Sequence, residues 1–190
     1  GANIQQVARG MGMDARIGSK FLNAGPGYGG SCFPKDTKAL VNIGKIYRCD
    51  LGIVRAAIDA NEKQKMRMVY KIEKEMGHLE GKTFGVLGLA FKKNTDDMRE
   101  APSITILKEL FILGARFRVY DPKAMEKAKK CFDELKIQAI EYCEDEYDAS
   151  KDADAIIIMT EWNQFRSLDL DKIKSKMKGN YFFDLRNIYN

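Results

Sequence analysis

The sequence predicts an α/β protein in which a helical segment precedes a domain built on a parallel sheet. Before residue 80, the longest stretch without proline repeats apolar residues at helical spacing. After residue 80, short apolar runs alternate with helical patterns, which is typical of a doubly wound parallel sheet. We therefore expect a helical segment over residues 1–80 and a Rossmann-like domain over residues 81–190.

Three helices are predicted in the first segment, over residues 2–12, 34–47 and 52–76. Pro34 suits the first turn of the second helix, because an N–H at that position has no partner within the helix. The third helix contains no proline, and its apolar stripe also includes Asn61 and Lys65. Such a mixed stripe fits either an exposed surface helix or a contact between subunits.

The second segment follows a linker at residues 77–82. Strands are predicted over residues 83–88, 116–120, 155–159 and 181–183, with helices near residues 103–113, 123–135 and 169–177. Gly85, Gly88 and the later Asp121 suggest a dinucleotide fingerprint. That fingerprint needs glycine where Ala90 stands and a helix that begins at once, whereas about ten mostly polar residues intervene here. We therefore expect no complete dinucleotide in this domain.

Composition and charge argue against several classes of protein. The net charge is +5 and the lysines are spread along the chain, so we expect no nucleic-acid partner. No apolar run approaches the roughly 20 residues of a membrane span, so we expect no membrane partner. Four cysteines without C-x-x-C spacing and a single histidine indicate no zinc site, and they favour reduced thiols in a cytoplasmic protein.

The most informative stretch is GPGYGGSCFPKD at residues 25–36, where four glycines stand within six residues. Glycines let the backbone pass close to a ligand. Cys32 follows at the expected start of a helix, where the helix dipole and a cation such as Lys35 lower the pKa of a thiol. Asp36 lies one turn further on and can act as a general base on water. Spacing alone leaves a nucleophilic thiol and a buried structural cysteine as equal interpretations.

Four segments resemble the UDP-glucose 6-dehydrogenases and occur in the order found in that family. They are RIGSKFLNAGPGYGGSCFPKDTKAL (residues 16–40), GLAFKKNTDDMREAP (residues 88–102), Thr160-Glu161-Trp162 with Phe165, and FDLRN (residues 183–187). Tyr28 and Phe33 favour this branch over the GDP-mannose relatives, which usually have Phe and Leu there. The resemblance spans nearly the whole chain.

The resemblance implies an NAD-dependent enzyme that oxidises the C6 alcohol of UDP-glucose to the carboxylate in two hydride transfers. The thiol of Cys32 would attack the intermediate aldehyde, and the resulting thiohemiacetal would become a thioester. Asp36 would help a water molecule to hydrolyse that thioester. A homodimer through the helix near residues 52–76 is also implied.

Members of the family begin with an NAD-binding Rossmann domain, followed by a helical segment with a catalytic lysine and asparagine. The present sequence enters at what resembles the end of that helical region. The resemblance therefore implies the C-terminal part of the enzyme, inactive on its own. The main NAD site would lie in the absent N-terminal domain.

The resemblance assigns the substrate site to Arg16, Phe21, Leu22, Asn23, Ala24, Gly25, Tyr28, Gly29, Phe91, Lys92 and Arg186. Arg16 would reach the substrate of the neighbouring subunit, and Arg99 would contact NAD. Leu185 departs from the family, in which many members have glycine beside this arginine, and a bulkier residue there would alter how the backbone next to Arg186 approaches the nucleotide. Alternatively, the two phenylalanines are core aromatics, and Arg16 and Arg186 form surface ion pairs.

Two further functions stay open at this point. One is a GDP-mannose 6-dehydrogenase, which would differ in the nucleotide it binds. The other is a non-catalytic nucleotide-binding or dimerisation module in which Cys32 has only a structural role.

Overall fold

Helices dominate the first part of the protein, whose structure is a computed structural model that describes residues 2–189. They are α1 (Ile4–Gly12), α2 (Phe33–Ile46) and α3 (Gly52–Met76), close to the predicted bounds. α1 begins after Asn3, whose side-chain oxygen accepts hydrogen bonds from the N–H groups of Gln5 and Gln6 at 2.9 and 3.1 Å. α2 carries Pro34 in its first turn, as expected.

A parallel sheet dominates the second part. Its strands are β1 (Thr83–Leu87), β2 (Arg116–Tyr120), β3 (Ile140–Tyr142), β4 (Ala155–Ile158) and β5 (Tyr181–Asp184), and they pair in the order β3-β2-β1-β4-β5. The helices between them are α4 (Pro102–Ile112), α5 (Met125–Glu134), α6 (Glu146–Ala149) and α7 (Leu170–Lys176), with a 3₁₀ turn at Asn163–Ser167. The predicted α/β class is confirmed.

Three short elements were not predicted from the sequence: β3, α6 and the 3₁₀ turn. β3 has three residues and lies at the edge of the sheet, where no residue is fully buried. α6 has four residues and depends on a local cap, in which Asp145 accepts a hydrogen bond from the N–H of Asp148 at 2.6 Å. Neither element is long enough to show a hydrophobic period.

The sheet divides the core into two clusters, one on each face. Phe84 and Val86 of β1 point into the cluster formed with α3, α4 and α5, whereas Leu87 points into the cluster formed with α7. Side chains alternate in this way because successive residues of a strand face opposite sides of the sheet. Both faces are covered, as is usual for a parallel sheet.

The long helix α3 joins the helical segment to the sheet. Its second half packs against α4 through buried Met68, Val69 and Ile72. Its first half carries Ile53, which is 89% exposed. Among the helices of residues 2–189, none combines the length and apolarity needed to cross a membrane.

Candidate functional site

The glycine loop (residues 25–31) lies between α3 and the edge of the sheet where the strands end. Asn61 of α3 fixes this loop, because its Oδ1 accepts from the N–H of Tyr28 at 2.7 Å and its Nδ2 donates to the carbonyl of Tyr28 at 3.2 Å. Gln64, one turn further along α3, donates to the carbonyl of Gly25 at 3.0 Å. The buried polar residue in the stripe of α3 therefore shapes the loop.

The β1 loop (residues 88–101) supports the glycine loop from the other side. The N–H of Gly30 donates to the carbonyl of Arg99 at 2.8 Å. Gly30 has a φ of +90°, and a Cβ atom there would lie 2.8 Å from two ring carbons of Phe91. Only glycine meets both conditions without strain. The two loops are thus in direct contact next to the cysteine.

Cys32 directly precedes the first residue of α2 and is exposed. Its Sγ lies 3.6 Å from Oγ of Ser31. It lines a cleft of about 930 Å³, called here the thiol cleft, whose other walls are the glycine loop, α3 and the loops that follow β1, β4 and β5. The alternative of a cysteine buried in the core does not apply.

The sheet contributes Phe91, Lys92, Glu161 and Arg186 to the thiol cleft. Nζ of Lys92 lies 5.2 Å from the centroid of the Phe91 ring, within the range of a cation–π contact. Lys92 has no carboxylate within ion-pair distance among residues 2–189. Its ammonium is therefore available to an anion bound in the cleft.

Arg186 is held firmly in the wall of the cleft. Its Nε donates to the carbonyl of Met159 at 2.9 Å, and Nη2 donates to the carbonyl of Phe91 at 2.7 Å. Burial lowers the pKa of the guanidinium, while the neighbouring Glu161 raises it. A Cβ atom at Gly25 would lie 2.7 Å from Nη1, so the guanidinium lies against the glycine loop.

Glu161 accompanies Arg186, with Oε2 3.0 Å from Nε. This oxygen is buried and makes no hydrogen bond within residues 2–189, because the geometry of the ion pair is unsuitable for one. Its other oxygen accepts weakly from the N–H of Lys93 at 3.4 Å. A buried acceptor beside a cleft is suited to a donor on a ligand.

Asp36 lies outside the walls of the thiol cleft. Its carboxylate is exposed and forms an ion pair with Nζ of Lys35 at 2.7 Å. The hydrogen bond that the ammonium of Lys35 donates to Asp36 raises the pKa of Lys35. The N–H of Asp36 donates to the carbonyl of Cys32 at 2.8 Å, so the two residues are one helical turn apart, as the sequence predicts.

A second cleft of about 590 Å³, called here the Arg99 cleft, lies on the other side of Gly30 and Ser31. Lys35 and Arg99 line it and bring two cations to one opening. Arg99 pairs with Asp97 at 2.7 Å, and this hydrogen bond raises the pKa of Arg99. The two clefts share the backbone next to the thiol.

The structure brings most of the predicted site residues together. The thiol cleft is lined by Phe21, Asn23, Gly25, Tyr28, Gly29, Cys32, Phe91, Lys92 and Arg186. Ala24 lines a separate cleft of about 630 Å³ behind Gly25, and Leu22 lines none of these clefts. Phe21 is 93% exposed, so the alternative of a core aromatic does not hold for it.

Arg16 is remote from these walls. Its side chain is 88% exposed and pairs with Asp14 at 2.6 Å. Asn61, Gln64 and Glu161 also line the thiol cleft, and the sequence analysis assigned no site role to them. Asn61 lies in the predicted stripe of α3, and Glu161 lies in the Thr160-Glu161-Trp162 segment that resembles the family. Both positions could therefore have been proposed from the sequence as site residues.

The turn after β1 does not fit a dinucleotide. A Cβ atom at Gly88 would lie 2.5 Å from Cβ of Thr160, so the space in front of this glycine is already filled. Asp121, where a ribose-binding carboxylate would stand, is 1% exposed and accepts hydrogen bonds from the protein with both oxygens. Within residues 2–189, no group of three His, Cys, Asp or Glu side chains could hold a metal ion.

Comparison with protein families gives two matches. The UDP-binding domain of the UDP-glucose/GDP-mannose dehydrogenase family matches residues 85–190, and the central domain of the same family matches residues 1–63. UDP-glucose 6-dehydrogenase of Rhizobium meliloti (strain 1021) is 50% identical over 190 residues, which are 100% of this chain and 42% of that protein. UDP-glucose 6-dehydrogenase TuaD of Bacillus subtilis (strain 168) is 44% identical over 100% of this chain and 40% of its own length.

Solved structures agree with these matches. A UDP-glucose dehydrogenase from the hyperthermophilic archaeon Pyrobaculum islandicum superposes with a TM-score of 0.85 at 37% identity, over 96% of this chain and 40% of that one. GDP-mannose dehydrogenase of Pseudomonas aeruginosa shares the fold, with a TM-score of 0.70 at 22% identity over 97% of this chain and 42% of that one. The chain spans about two-fifths of the length of the curated relatives it matches. With the family's UDP-binding domain covering more than half of its residues, the chain belongs to the UDP-glucose/GDP-mannose dehydrogenase family.

Proposed function

We propose that this chain is the C-terminal, nucleotide-sugar-binding part of a UDP-glucose 6-dehydrogenase. The observation that carries the proposal is the exposed thiol of Cys32 in the same cleft as Phe91, Lys92 and Arg186. A thiol next to a cleft with a free ammonium suits a substrate that combines an electrophilic carbon with a diphosphate. The substrate is UDP-glucose, and the product is the corresponding C6 carboxylate.

The chemistry of this chain centres on Cys32. Its sulfur forms a bond to the C6 carbon of the aldehyde, whose oxygen takes up the proton that the thiol loses. After oxidation of this adduct, the sulfur carries C6 as a thioester. Asp36, one helical turn from Cys32, then accepts a proton from a water molecule that attacks the thioester carbon. Cleavage of the C–S bond releases the acid, which ionises to the carboxylate, and the proton held by Asp36 passes to the leaving sulfur to restore the thiol.

The hydride acceptor is NAD, which we assign to the part of the relatives that this chain does not span. The filled turn at Gly88 supports this assignment, because no pyrophosphate fits there. Arg99 would contact NAD from the second cleft, where Lys35 adds another positive charge. On its own, the chain binds its substrate and does not turn it over.

The nucleotide sugar is bound in the thiol cleft by residues of the sheet loops and by residues that precede α2. Lys92 attracts the diphosphate, and Phe91 contacts the nucleotide. In the run from Phe21 to Gly25, Phe21, Asn23 and Gly25 follow the sugar diphosphate, and Tyr28 and Gly29 lie next to it. Leu22 and Ala24 do not line the thiol cleft, so we propose that they support this run. Arg186 stiffens this wall, because two backbone carbonyls already occupy its donors and leave Nη1 for the cleft.

We further propose that the protein forms a homodimer through α3. Ile53 and Tyr70 on this helix are 89% and 62% exposed, so a subunit contact there would cover apolar surface that the single chain leaves in water. Arg16 would then reach the substrate of the neighbouring subunit, which is consistent with its distance from the walls of its own cleft. Four free cysteines favour the reducing cytoplasm as its location.

Titration calorimetry with UDP and with GDP tests the proposal on the 190-residue chain. We expect UDP to bind and GDP to bind more weakly. Cys32→Ser should leave UDP binding unchanged, because the thiol acts on the sugar and not on the nucleotide. Absence of heat and of a thermal shift at millimolar UDP would contradict a formed nucleotide site, and tighter binding of GDP would favour the GDP-mannose branch.

Activity tests the chemical role. In the longer enzyme that contains this segment together with its NAD-binding part, Cys32→Ser should abolish formation of the carboxylate, and Asp36→Asn should slow the hydrolytic step and let the thioester accumulate. Cys49→Ser serves as the control, because this exposed thiol lies outside both clefts. Normal activity of the Cys32→Ser enzyme would reduce the cysteine to a structural role.

A further inference from the structure

The buried carboxylate of Asp121 has no part in the proposed chemistry. It directly follows β2 and is 1% exposed. Burial of a charge is costly unless hydrogen bonds compensate for it. In dinucleotide-binding domains an acidic residue near this position holds a ribose. Here both oxygens of Asp121 accept hydrogen bonds from the protein itself, so the carboxylate holds protein groups in place and not a ribose.

One oxygen of Asp121 holds two different loops. Oδ2 accepts from the N–H groups of Leu89 and Ala90, at 2.7 and 3.1 Å, in the β1 loop. The same oxygen accepts from Nε1 of Trp162 at 3.1 Å, in the β4 loop (residues 159–162). Both loops leave the carboxyl end of the sheet, where a parallel sheet places its ligand.

The other oxygen anchors the carboxylate. Oδ1 accepts from the N–H groups of Lys123 and Ala124 at 2.9 and 2.8 Å, just before α5. Oδ1 therefore fixes the side chain to the segment between β2 and α5, and Oδ2 sets the position of the two loops. Hydrogen bonds to a charged acceptor are stronger than those between neutral groups.

The two loops held in this way form the nucleotide wall of the thiol cleft. Phe91 and Lys92 follow directly after the two N–H groups bound by Asp121, and Glu161 directly precedes Trp162. Thr160 links the loops a second time, because its Oγ1 donates to the carbonyl of Ala90 at 2.6 Å. A displacement of either loop would change the separation between Lys92 and Glu161.

We propose that Asp121 is a positioning residue for nucleotide binding, which fixes the β1 and β4 loops against each other while making no contact with the ligand. This inference deepens the proposed function and rests on it. A ribose-binding position of the dinucleotide fold has here become an internal clamp. The clamp sets the wall that Phe91 and Lys92 present to the nucleotide.

The decisive variant is Asp121→Asn, which preserves the shape of the side chain. All five donors that surround the carboxylate are N–H groups, so an amide nitrogen in either orientation faces donors that it cannot accept from. Asp154→Asn is the matched control. Asp154 is also a buried carboxylate, 7% exposed, but it lies at the opposite edge of the sheet, where it accepts from the N–H of Thr83 at 2.8 Å.

We expect Asp121→Asn to weaken the affinity for UDP by roughly tenfold or more at temperatures where the variant is fully folded, and Asp154→Asn to change it by less than about twofold. Amide hydrogen exchange should accelerate at Leu89 and Ala90 in the first variant and not in the second. Equal UDP affinities and equal exchange rates in the two variants would overturn the inference.

The test separates this inference from the proposed function. If the unaltered chain does not bind UDP, the proposed function fails, and exchange at Leu89 and Ala90 alone decides whether Asp121 fixes the loop. If Asp121→Asn does not fold, Trp162→Phe decides instead, because it removes one donor to Oδ2 without adding a repulsive contact. We expect about threefold weaker UDP binding for that variant, and unchanged affinity would overturn the inference.

Discussion

The ring of Phe91 lies directly against the backbone of Gly30, so that a methyl group on Gly30 would approach two ring carbons to 2.8 Å. This contact joins the loop that carries the thiol to the loop that carries Lys92. A displacement of the loop with Lys92 would therefore move the backbone next to Cys32 through the contact between Phe91 and Gly30.

Gly30→Ala should destabilise the protein by about 2–4 kcal/mol. About 1 kcal/mol or more comes from a φ of +90°, and overlap with Phe91 adds a further 1–3 kcal/mol. The control is Gly18→Ala, where φ is +68° and no atom lies within 4 Å of the new methyl group. Urea denaturation measures both. An equal loss in the two variants would show that the contact with Phe91 has no energetic weight.

The cysteines should differ widely in their rates of alkylation. Cys32 and Cys49 are exposed, whereas burial raises the pKa of the Cys143 thiol to about 12. At pH 8 roughly one Cys143 in ten thousand is then a thiolate. Iodoacetamide followed by peptide mapping should label the two exposed cysteines first. UDP-glucose should slow labelling at Cys32 alone, and equal protection of Cys49 would argue against a site at the thiol cleft.

Asn61→Ala should loosen the glycine loop. The variant loses both hydrogen bonds to the backbone of Tyr28 and leaves the half-buried N–H of Tyr28 without its partner, which costs about 1 kcal/mol. Protection of Cys32 by UDP-glucose should weaken in parallel. Lys63→Ala, on the exposed side of the same helix, is the control and should be nearly neutral. Similar effects of the two substitutions would assign the loss to the helix and not to the loop.

Asp154 should make the protein sensitive to acid. Burial by itself raises the pKa of this carboxyl group, but the N–H of Thr83 and the ammonium of Lys178 outweigh it and lower the pKa below 3.8. A lowered pKa in the folded state means that the stabilisation is complete above the unfolded value of about 3.8 and disappears as the pH falls through the folded pKa. Asp154→Asn should therefore be less stable at pH 7 by about 1–3 kcal/mol. The difference from the unaltered protein should shrink below pH 3.8, as measured by urea denaturation across pH, and a difference independent of pH would contradict the assignment.

Charge on α3 should separate the proposed dimer. Ile53→Arg places a cation on a side chain that is 89% exposed, so the isolated subunit should remain folded while a subunit contact there is lost. Ile112→Arg on α4 is the control, because Ile112 is also an exposed isoleucine, 64% exposed, on a helix outside the proposed contact. Sedimentation velocity should show monomers for the first variant and dimers for the second. Dimers of the Ile53→Arg protein would place the contact elsewhere.

Long, periodic elements could be predicted from the sequence, and short or dependent ones could not. The bounds of α3 agree with the prediction because its 25 residues contain no proline and keep one helical period, in which Asn61 and Lys65 share the stripe with apolar residues. β3 was missed because its three residues form a strand only through pairing with β2. A strand of this length has no local signal that separates it from a loop.

For the site, too, features with a local sequence signal could be predicted and features that depend on tertiary contacts could not. The glycine-rich loop and Cys32 at the start of a helix could be predicted because residue type and spacing are local properties, whereas the role of Cys32 was predicted only from the family resemblance. Asp121 resembled a ligand-binding carboxylate in the sequence, and only the positions of Leu89 and Trp162 reveal that its acceptors are occupied. Asn61 gave a signal of burial without a role, because its partner Tyr28 lies 33 positions away. The roles of Asp121 and Asn61 depend on contacts between segments that are distant in the sequence.

The contact of Gly25 with Arg186 has a consequence for biosynthesis. The glycine loop leaves the ribosome long before β5 and the arginine that follows it, and Asn187 then adds a hydrogen bond to the carbonyl of Ala24 at 3.4 Å. A nascent chain therefore has an incomplete cleft around Cys32 until translation has passed this point. Premature termination before Arg186 would leave that cleft without the arginine in its wall, so the cleft is completed only when the residues after the last strand have been made.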